Sequence, residues 1–224
     1  MGGLIVVQNR DNERLRETLS VALAGVEHER VDCSAALPRL AGNRVLFALS
    51  LSDHGLDLEV ISLIASLRQN PDVMEGATGA IIIDGAGELY TKQTADMLAL
   101  AANLAGCRFP GKPLVEATGS LDNWNIQSLR RGVSLAQAYR QAARELVVRL
   151  MEFSWQTKER PSVLLLHASD RATSNTLQIG TKIVERLLPS CDIREISLQN
   201  GAIFDCRGCS YKTCAHFARQ NSCF

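Results

Sequence analysis

Short uncharged apolar runs alternate with longer stretches of helical period along most of this chain. Leu4 to Val7, Val45 to Leu49 and Ala80 to Ile83 read as strands, and Leu114 to Ala117 follows the turn at Gly111 and Pro113. Between them, Asn12 to Ala24 places Leu15, Leu19, Ala22 and Leu23 on one helical stripe. Asp57 is positioned to cap a second helix, with Val60, Ile61, Ile64, Ala65 and Leu67 on its apolar side and Asn70 and Pro71 at its end. A third helix opens at Thr91 or Thr94 and closes near Gly106. A fourth runs from about Ser134 to Phe153 and offers Leu135, Ala138, Tyr139, Ala142, Leu146 and Leu150 to a core.

The run Ile81, Ile82, Ile83 carries no charge, which is the pattern of a parallel strand covered on both faces. Strands alternating with helices predict an α/β fold of three layers around a mostly parallel sheet. Gln156 to Arg160 is polar, and a new strand, Val163 to Leu166, begins beyond it. This divides the chain into a first domain, 1–155, and a second, 161–224, joined by a short connector. In the second domain a turn through His167 to Thr176 leads into a helix at about Thr176 to Leu188.

Charge and composition remove several functional classes. Twenty-four basic residues balance twenty-four acidic ones in 224 residues, so no net field steers the protein toward nucleic acid or anionic lipid. The aromatic residues are scattered and form no stacking track for single strands. Every apolar run is far shorter than the roughly 20 residues of a membrane-spanning helix. The N-terminus lacks the pattern of a secretory signal. A cytoplasmic, reducing location is therefore expected, with no membrane partner and no nucleic acid partner, and structural disulfides are the less favoured use of the cysteines.

Two segments of the second domain carry chemistry. Ser169, Ser174, Asn175 and Thr176 lie between a strand and a helix N-terminus, where backbone donors and the helix dipole suit a phosphate, and Arg171 adds charge to the same loop. The loop matches neither the dinucleotide GxGxxG pattern nor the nucleotide-triphosphatase GxxxxGK[ST] pattern. Farther on, Cys206, Cys209, Cys214 and Cys223 crowd one stretch. Their thiolates suit zinc or an iron-sulfur cluster; Cys206 and Cys209 also suit thiol exchange, and reduced structural cysteines are the third reading. His216 is a further ligand candidate, and His167 is placed either to approach a cofactor or to support its turn. Ser50, Asp53 and His54 combine triad residue types, but no nucleophile-elbow motif accompanies them.

From Ser162 onward the strand, the segment ASDRATSNT at Ala168 to Thr176, the following helix and the strand leading to CRGC at Cys206 to Cys209 resemble the flavodoxin-like NADPH-dependent FMN reductases and iron-sulfur flavoproteins. The resemblance implies a three-layer flavodoxin-like first domain followed by a partial second flavodoxin-like domain. It assigns the FMN phosphate to Ser169, Arg171, Ser174, Asn175 and Thr176, with Ala168 where the family often has glycine. A flavin-dependent, NAD(P)H-linked oxidoreductase, or a shortened member of that class, is the function implied. The alternative is a noncatalytic interaction or scaffold protein of the same fold. The family's cysteine cluster is tighter than this one, so an iron-sulfur cluster carries over only as a suggestion. The family fold needs about three further strands that the sequence up to Phe224 does not encode, and a homo-oligomer completing the partial domain is the expected partner. The first domain's own loop, Gln8 to Glu13, lacks small hydroxyl and glycine donors and carries two acids, so a degenerate copy with a structural or pairing role is expected, with independent FMN binding as the alternative.

Overall fold

A computed structural model describes residues 3–10, 12–33, 40–155, 158–169, 173–204, 206 and 208–218. The chain forms two units, Met1–Ser154 and Trp155–Phe224.

In the first unit five strands pair in parallel: β1 (Leu4–Gln8), β2 (His28–Asp32), β3 (Arg44–Leu51), β4 (Thr78–Gly85) and β5 (Leu114–Ala117). Their spatial order is β2-β1-β3-β4-β5. That order is the doubly wound, flavodoxin-like arrangement, so the expected three-layer α/β architecture is present. The helices are α1 (Glu13–Ala22), α2 (Leu58–Gln69), α3 (Thr91–Leu104), α4 (Asn125–Arg131) and α5 (Leu135–Glu152), with a single 3₁₀ turn at Asp122–Trp124.

Each strand sends alternate side chains to opposite faces, and this splits the core in two. Ile81 and Ile83 pack with Val60, Leu63, Leu67 and Leu98 beneath α2 and α3. Ile82 points the other way and packs with Leu15, Leu19, Tyr139 and Leu146 of α1 and α5. The uncharged isoleucine run thus forms an interior strand with helices on both faces.

The helix starts follow local chemistry. Asp57 accepts hydrogen bonds from the Glu59 and Val60 amides and opens α2 where the sequence places it. Ser134 and Gln137 cap each other's backbone amides to start α5. Strand β2 is the element the apolar pattern misses: its His28, Glu29, Arg30 and Asp32 are exposed, and hydrogen bonding to β1 makes it a strand.

The second unit contains β6 (Ser162–His167), α6 (Asn175–Leu187), β7 (Asp192–Ser197) and α7 (Tyr211–Ala218). Strands β6 and β7 pair in parallel as a two-stranded sheet. Leu165 faces α6 and comes so close to Gly180 that a β-carbon there would lie 3.0 Å from a leucine methyl. Helix α7 is an addition that the sequence pattern does not reveal. Among the described residues, no helix is long and apolar enough to cross a membrane.

Candidate functional site

In a sheet of this order, ligands bind outside the carboxyl ends of the strands, in the crevice at the β1/β3 switch point. In the first unit that crevice is filled by the protein itself. Asn9, just past β1, donates from Nδ2 to the Ser50 carbonyl at 2.7 Å and accepts from the Ser50 amide at 2.8 Å. The side-chain amide thereby acts as one more peptide and continues the β1–β3 ladder beyond Gln8. Asn12 caps α1 by accepting from the Leu15 amide and donates to Ser50 Oγ at 2.9 Å and Asp84 Oδ1 at 3.1 Å.

Arg14 takes the remaining space. Its Nη2 lies 2.8 Å from Asp84 Oδ1, its Nε 3.0 Å from Asp84 Oδ2, and it also donates to the Gly85 and Gly119 carbonyls at 2.8 and 2.9 Å. Asp84, at the end of β4, is wholly buried, and these bonds compensate the cost of removing a carboxylate from water. Behind the pair sits the buried Tyr139 hydroxyl. Thr18 and Asp84 lie near it, but neither meets hydrogen-bond geometry. Burial first, and then the Asp84 charge, raise the Tyr139 pKa well above the usual phenol value.

The loops around this crevice touch one another. A β-carbon on Gly87 would lie 2.1 Å from the Asp53 carbonyl oxygen, and one on Gly119 would lie 2.4 Å from that of Ala86. Gly55, at φ +72°, comes equally close to Leu89 and Tyr90. Glu88 accepts from the Ser120 amide at 2.6 Å, and that bond is the main reason its pKa is lowered. The loops after β3, β4 and β5 are thus closed on each other. At the switch point itself these residues do not fit a flavin, because the Arg14–Asp84 ion pair occupies it; a cleft of about 540 Å³ lies beside it, lined by Glu88, Tyr90, Thr91, Lys92 and Glu116.

Ser50, Asp53 and His54 form no triad. Ser50 is buried in the Asn9 and Asn12 network, whereas Asp53 and His54 are exposed and 3.6 Å apart. The legible signals for the filled crevice were an acid, Asp84, ending an uncharged strand and an arginine in the first turn of a helix.

The second unit differs at the equivalent place. Ser174 caps α6 by accepting from the Leu177 amide at 3.3 Å, and its hydroxyl lies 3.0 Å from that of Ser169 across the loop. Asn175 and Thr176 are the first two helical residues and are exposed, so their amides stand at the positive end of α6. The Ser169 amide donates to His167 Nδ1 at 3.3 Å, which leaves Nε2 to donate to Glu195 at 2.9 Å. His167 therefore supports the turn. Two hydroxyls converging over a helix N-terminus suit phosphate oxygens, and here the residues fit a flavin phosphate. Arg171, the charged member of the expected set, lies outside the described residues.

Cys206 and Cys214 are exposed and Cys209 is half-buried, with the Gly208 amide donating to Cys206 Sγ at 3.5 Å. Cys223 lies outside the described residues. Among the described residues, no three His, Cys, Asp or Glu side chains gather as a metal-binding group. The other cysteines are of a different kind. Burial pushes the Cys33 thiol up to about 12, with Glu59, Asp32 and Asp57 adding to it, and burial alone does the same for Cys107.

No protein-family model matches this chain, and no curated protein sequence matches it. Solved structures do. A flavodoxin of Streptococcus pneumonia TIGR4 is 11% identical with a TM-score of 0.43, covering 65% of this chain and 98% of its own. A short-chain flavodoxin associated with a non-canonical PDU bacterial microcompartment is 14% identical with a TM-score of 0.42, covering 64% and 99%. Oxidised flavodoxin 1 from Bacillus cereus is 14% identical with a TM-score of 0.44, covering 68% and 100%. The fold assignment rests on the strand order of the first unit and not on these likenesses.

Proposed function

We propose that the protein is a flavin-dependent oxidoreductase whose cofactor belongs to the second unit, the N-terminal part of an FMN-reductase-like domain, while the first unit is a flavodoxin-like scaffold that holds no flavin. The observation that carries this reading is the approach of the Ser169 and Ser174 hydroxyls, 3.0 Å apart, at the N-terminus of α6. Bound FMN would supply the hydride and electron chemistry, with NAD(P)H as the donor class that the family resemblance implies. The chain's own part is to hold the phosphate through the hydroxyls of Ser169, Ser174 and Thr176 and the amides of Asn175 and Thr176. His167 is a positioning residue, because its Nδ1 accepts from the Ser169 amide and fixes where the loop begins. Titration of the full chain with FMN tests the proposal: saturable binding weakened by Ser174→Ala is expected, and an absence of binding to the unaltered protein overturns it.

A second reading has its own observation. The Arg14–Asp84 pair occupies the β1/β3 switch point of the first unit, which favours a noncatalytic scaffold if the second unit also fails to bind. A stable assembly that carries no flavin, from cells grown with ample riboflavin, would decide for it.

A further inference from the structure

The loops after β4 and β5 lie side by side at the Arg14–Asp84 pair. The Gly119 amide donates to the Gly87 carbonyl at 2.9 Å. Glu88 adds a side-chain grip: its Oε1 accepts from the Ser120 amide at 2.6 Å and its Oε2 from the Ser120 hydroxyl at 3.1 Å. Glu88 and Ser120 are both exposed, so this grip lies on the outside of the unit. On the inner side, Arg14 donates to the carbonyl of Gly85, where β4 ends, and to that of Gly119.

Both joined segments carry backbone strain. Of the described non-glycine residues, Tyr90, Lys112 and Leu121 have positive φ, and two of these stand next to the grip: Tyr90 at φ 69°, two residues after Glu88, and Leu121 at φ 62°, one after Ser120. Tyrosine and leucine are disfavoured in the left-handed region because the β-carbon crowds the backbone, and neither has the short polar side chain that makes asparagine tolerable there. Separating the loops relieves both residues. The strain therefore opposes the bonds that hold the loops together. Among those bonds, the ones to the Glu88 carboxylate are charge-assisted and of the stronger kind. The lowered pKa of Glu88, caused first by the Ser120 amide, reflects the same preference for the gripping, ionised form.

We infer that segments 86–90 and 118–121 are a paired lid with Glu88 as its latch, and that they open together, with the sheet intact, when Glu88 lets go of Ser120. Opening joins the switch point to the cleft of about 540 Å³ that Glu88, Tyr90 and Glu116 line. Arg14 then loses the Gly119 carbonyl and keeps Asp84. Its side chain is 25% exposed with the lid closed, so the latch governs how far solvent and solutes reach the guanidinium. Neither the flavin nor the second unit takes part, and the lid stands or falls independently of cofactor binding.

Hydrogen exchange and arginine labelling of the full chain test the inference. In the unaltered protein the Gly119 and Ser120 amides should share one protection factor, lower than that of Ile82, whose strand stays formed during opening. Glu88→Ala removes the latch at an exposed position. The Gly119 amide, which is bonded to Gly87 and not to Glu88, should then exchange about tenfold faster while Ile82 is unchanged. Phenylglyoxal, an arginine-selective dicarbonyl, should modify Arg14 faster by about the same factor. Glu88→Gln keeps one acceptor for the Ser120 amide and should fall between the two. Glu29→Ala, at an exposed glutamate of β2, should leave both readouts as they are. Gly119 protection equal to that of Ile82, unequal protection of Gly119 and Ser120, or, in Glu88→Ala, unchanged Gly119 exchange, unchanged Arg14 labelling or an equal rise at Ile82 each overturns it.

Discussion

Arg14 grips the buried Asp84 carboxylate at two points, Nη2 to Oδ1 at 2.8 Å and Nε to Oδ2 at 3.0 Å, across 70 residues of sequence. This contact joins the first turn of α1 to the end of β4 and occupies the place where a sheet of this order holds its ligand. Removing one partner of a buried pair strands the other charge. Arg14→Met should therefore cost about 3–5 kcal/mol. Urea unfolding should show a lowered midpoint, and adding Asp84→Asn to Arg14→Met should recover part of the loss. Equal stability of Arg14→Met and the unaltered protein would refute the role given to the pair.

Gly87 and Gly111 should respond in opposite ways to alanine. A methyl at Gly87 meets the Asp53 carbonyl at 2.1 Å, whereas one at Gly111 meets nothing within 4 Å. Overpacking of this sort costs about 1–3 kcal/mol, so Gly87→Ala should lower thermal stability while Gly111→Ala leaves it near its original value. Similar melting temperatures for both variants would show that the loops after β3 and β4 are not closed as described.

Ser174→Ala should weaken FMN binding to the full chain by about 0.5–1.5 kcal/mol, the net value of a hydrogen bond, and Ser169→Ala by a similar amount. Asn12→Ala, in the crevice of the first unit, should leave the affinity unchanged. Fluorescence titration separates the two sites: a loss confined to Asn12→Ala would move the flavin to the first unit.

The cysteines should separate by reactivity. At about pH 8, near the ordinary thiol pKa, a thiol reagent should modify exposed Cys206 and Cys214, after any bound metal is chelated, and spare Cys33 and Cys107. The linkage to stability has a definite sign. Both buried thiols are raised from 9.0 to about 12, so the unfolded chain deprotonates first. Their contribution is complete below pH 9.0 and is lost as pH rises toward about 12. Denaturant midpoints measured across that window should fall, and less steeply in Cys107→Ala. Rapid labelling of Cys107 in the folded protein would contradict its burial.

Ile82→Asp should abolish folded yield, because Ile82 is wholly buried beneath α1 and α5 and packs among Leu15, Leu19 and Leu146, where a carboxylate is costly. The contrasting change Ile126→Asp, at an exposed position of α4, should express normally. Soluble expression of both variants checks the assignment.

The sequence by itself determined the layered architecture of the first unit. The uncharged run at Ile81 to Ile83, the helical stripes and the cap at Asp57 are local patterns, and their period and polarity act on the nearest residues whatever the rest of the chain does. The same locality made the loop at Ser169 to Thr176 legible, because a hydroxyl-rich turn before a helix is written in consecutive residues. Strand β2 escaped, since its exposed, charged sequence gains strand geometry only from hydrogen bonds to β1. The filled crevice escaped for a related reason. Asn9, Asn12, Arg14, Ser50, Asp84 and Gly119 are polar or small residues without a shared period, and only the sheet order brings the ends of β1, β3, β4 and β5 together. Whether a carboxylate such as Asp84 is a ligand-binding group or half of a closed ion pair depends on what the folded chain places within 3 Å of it, and that distance is fixed by packing, not by sequence neighbours.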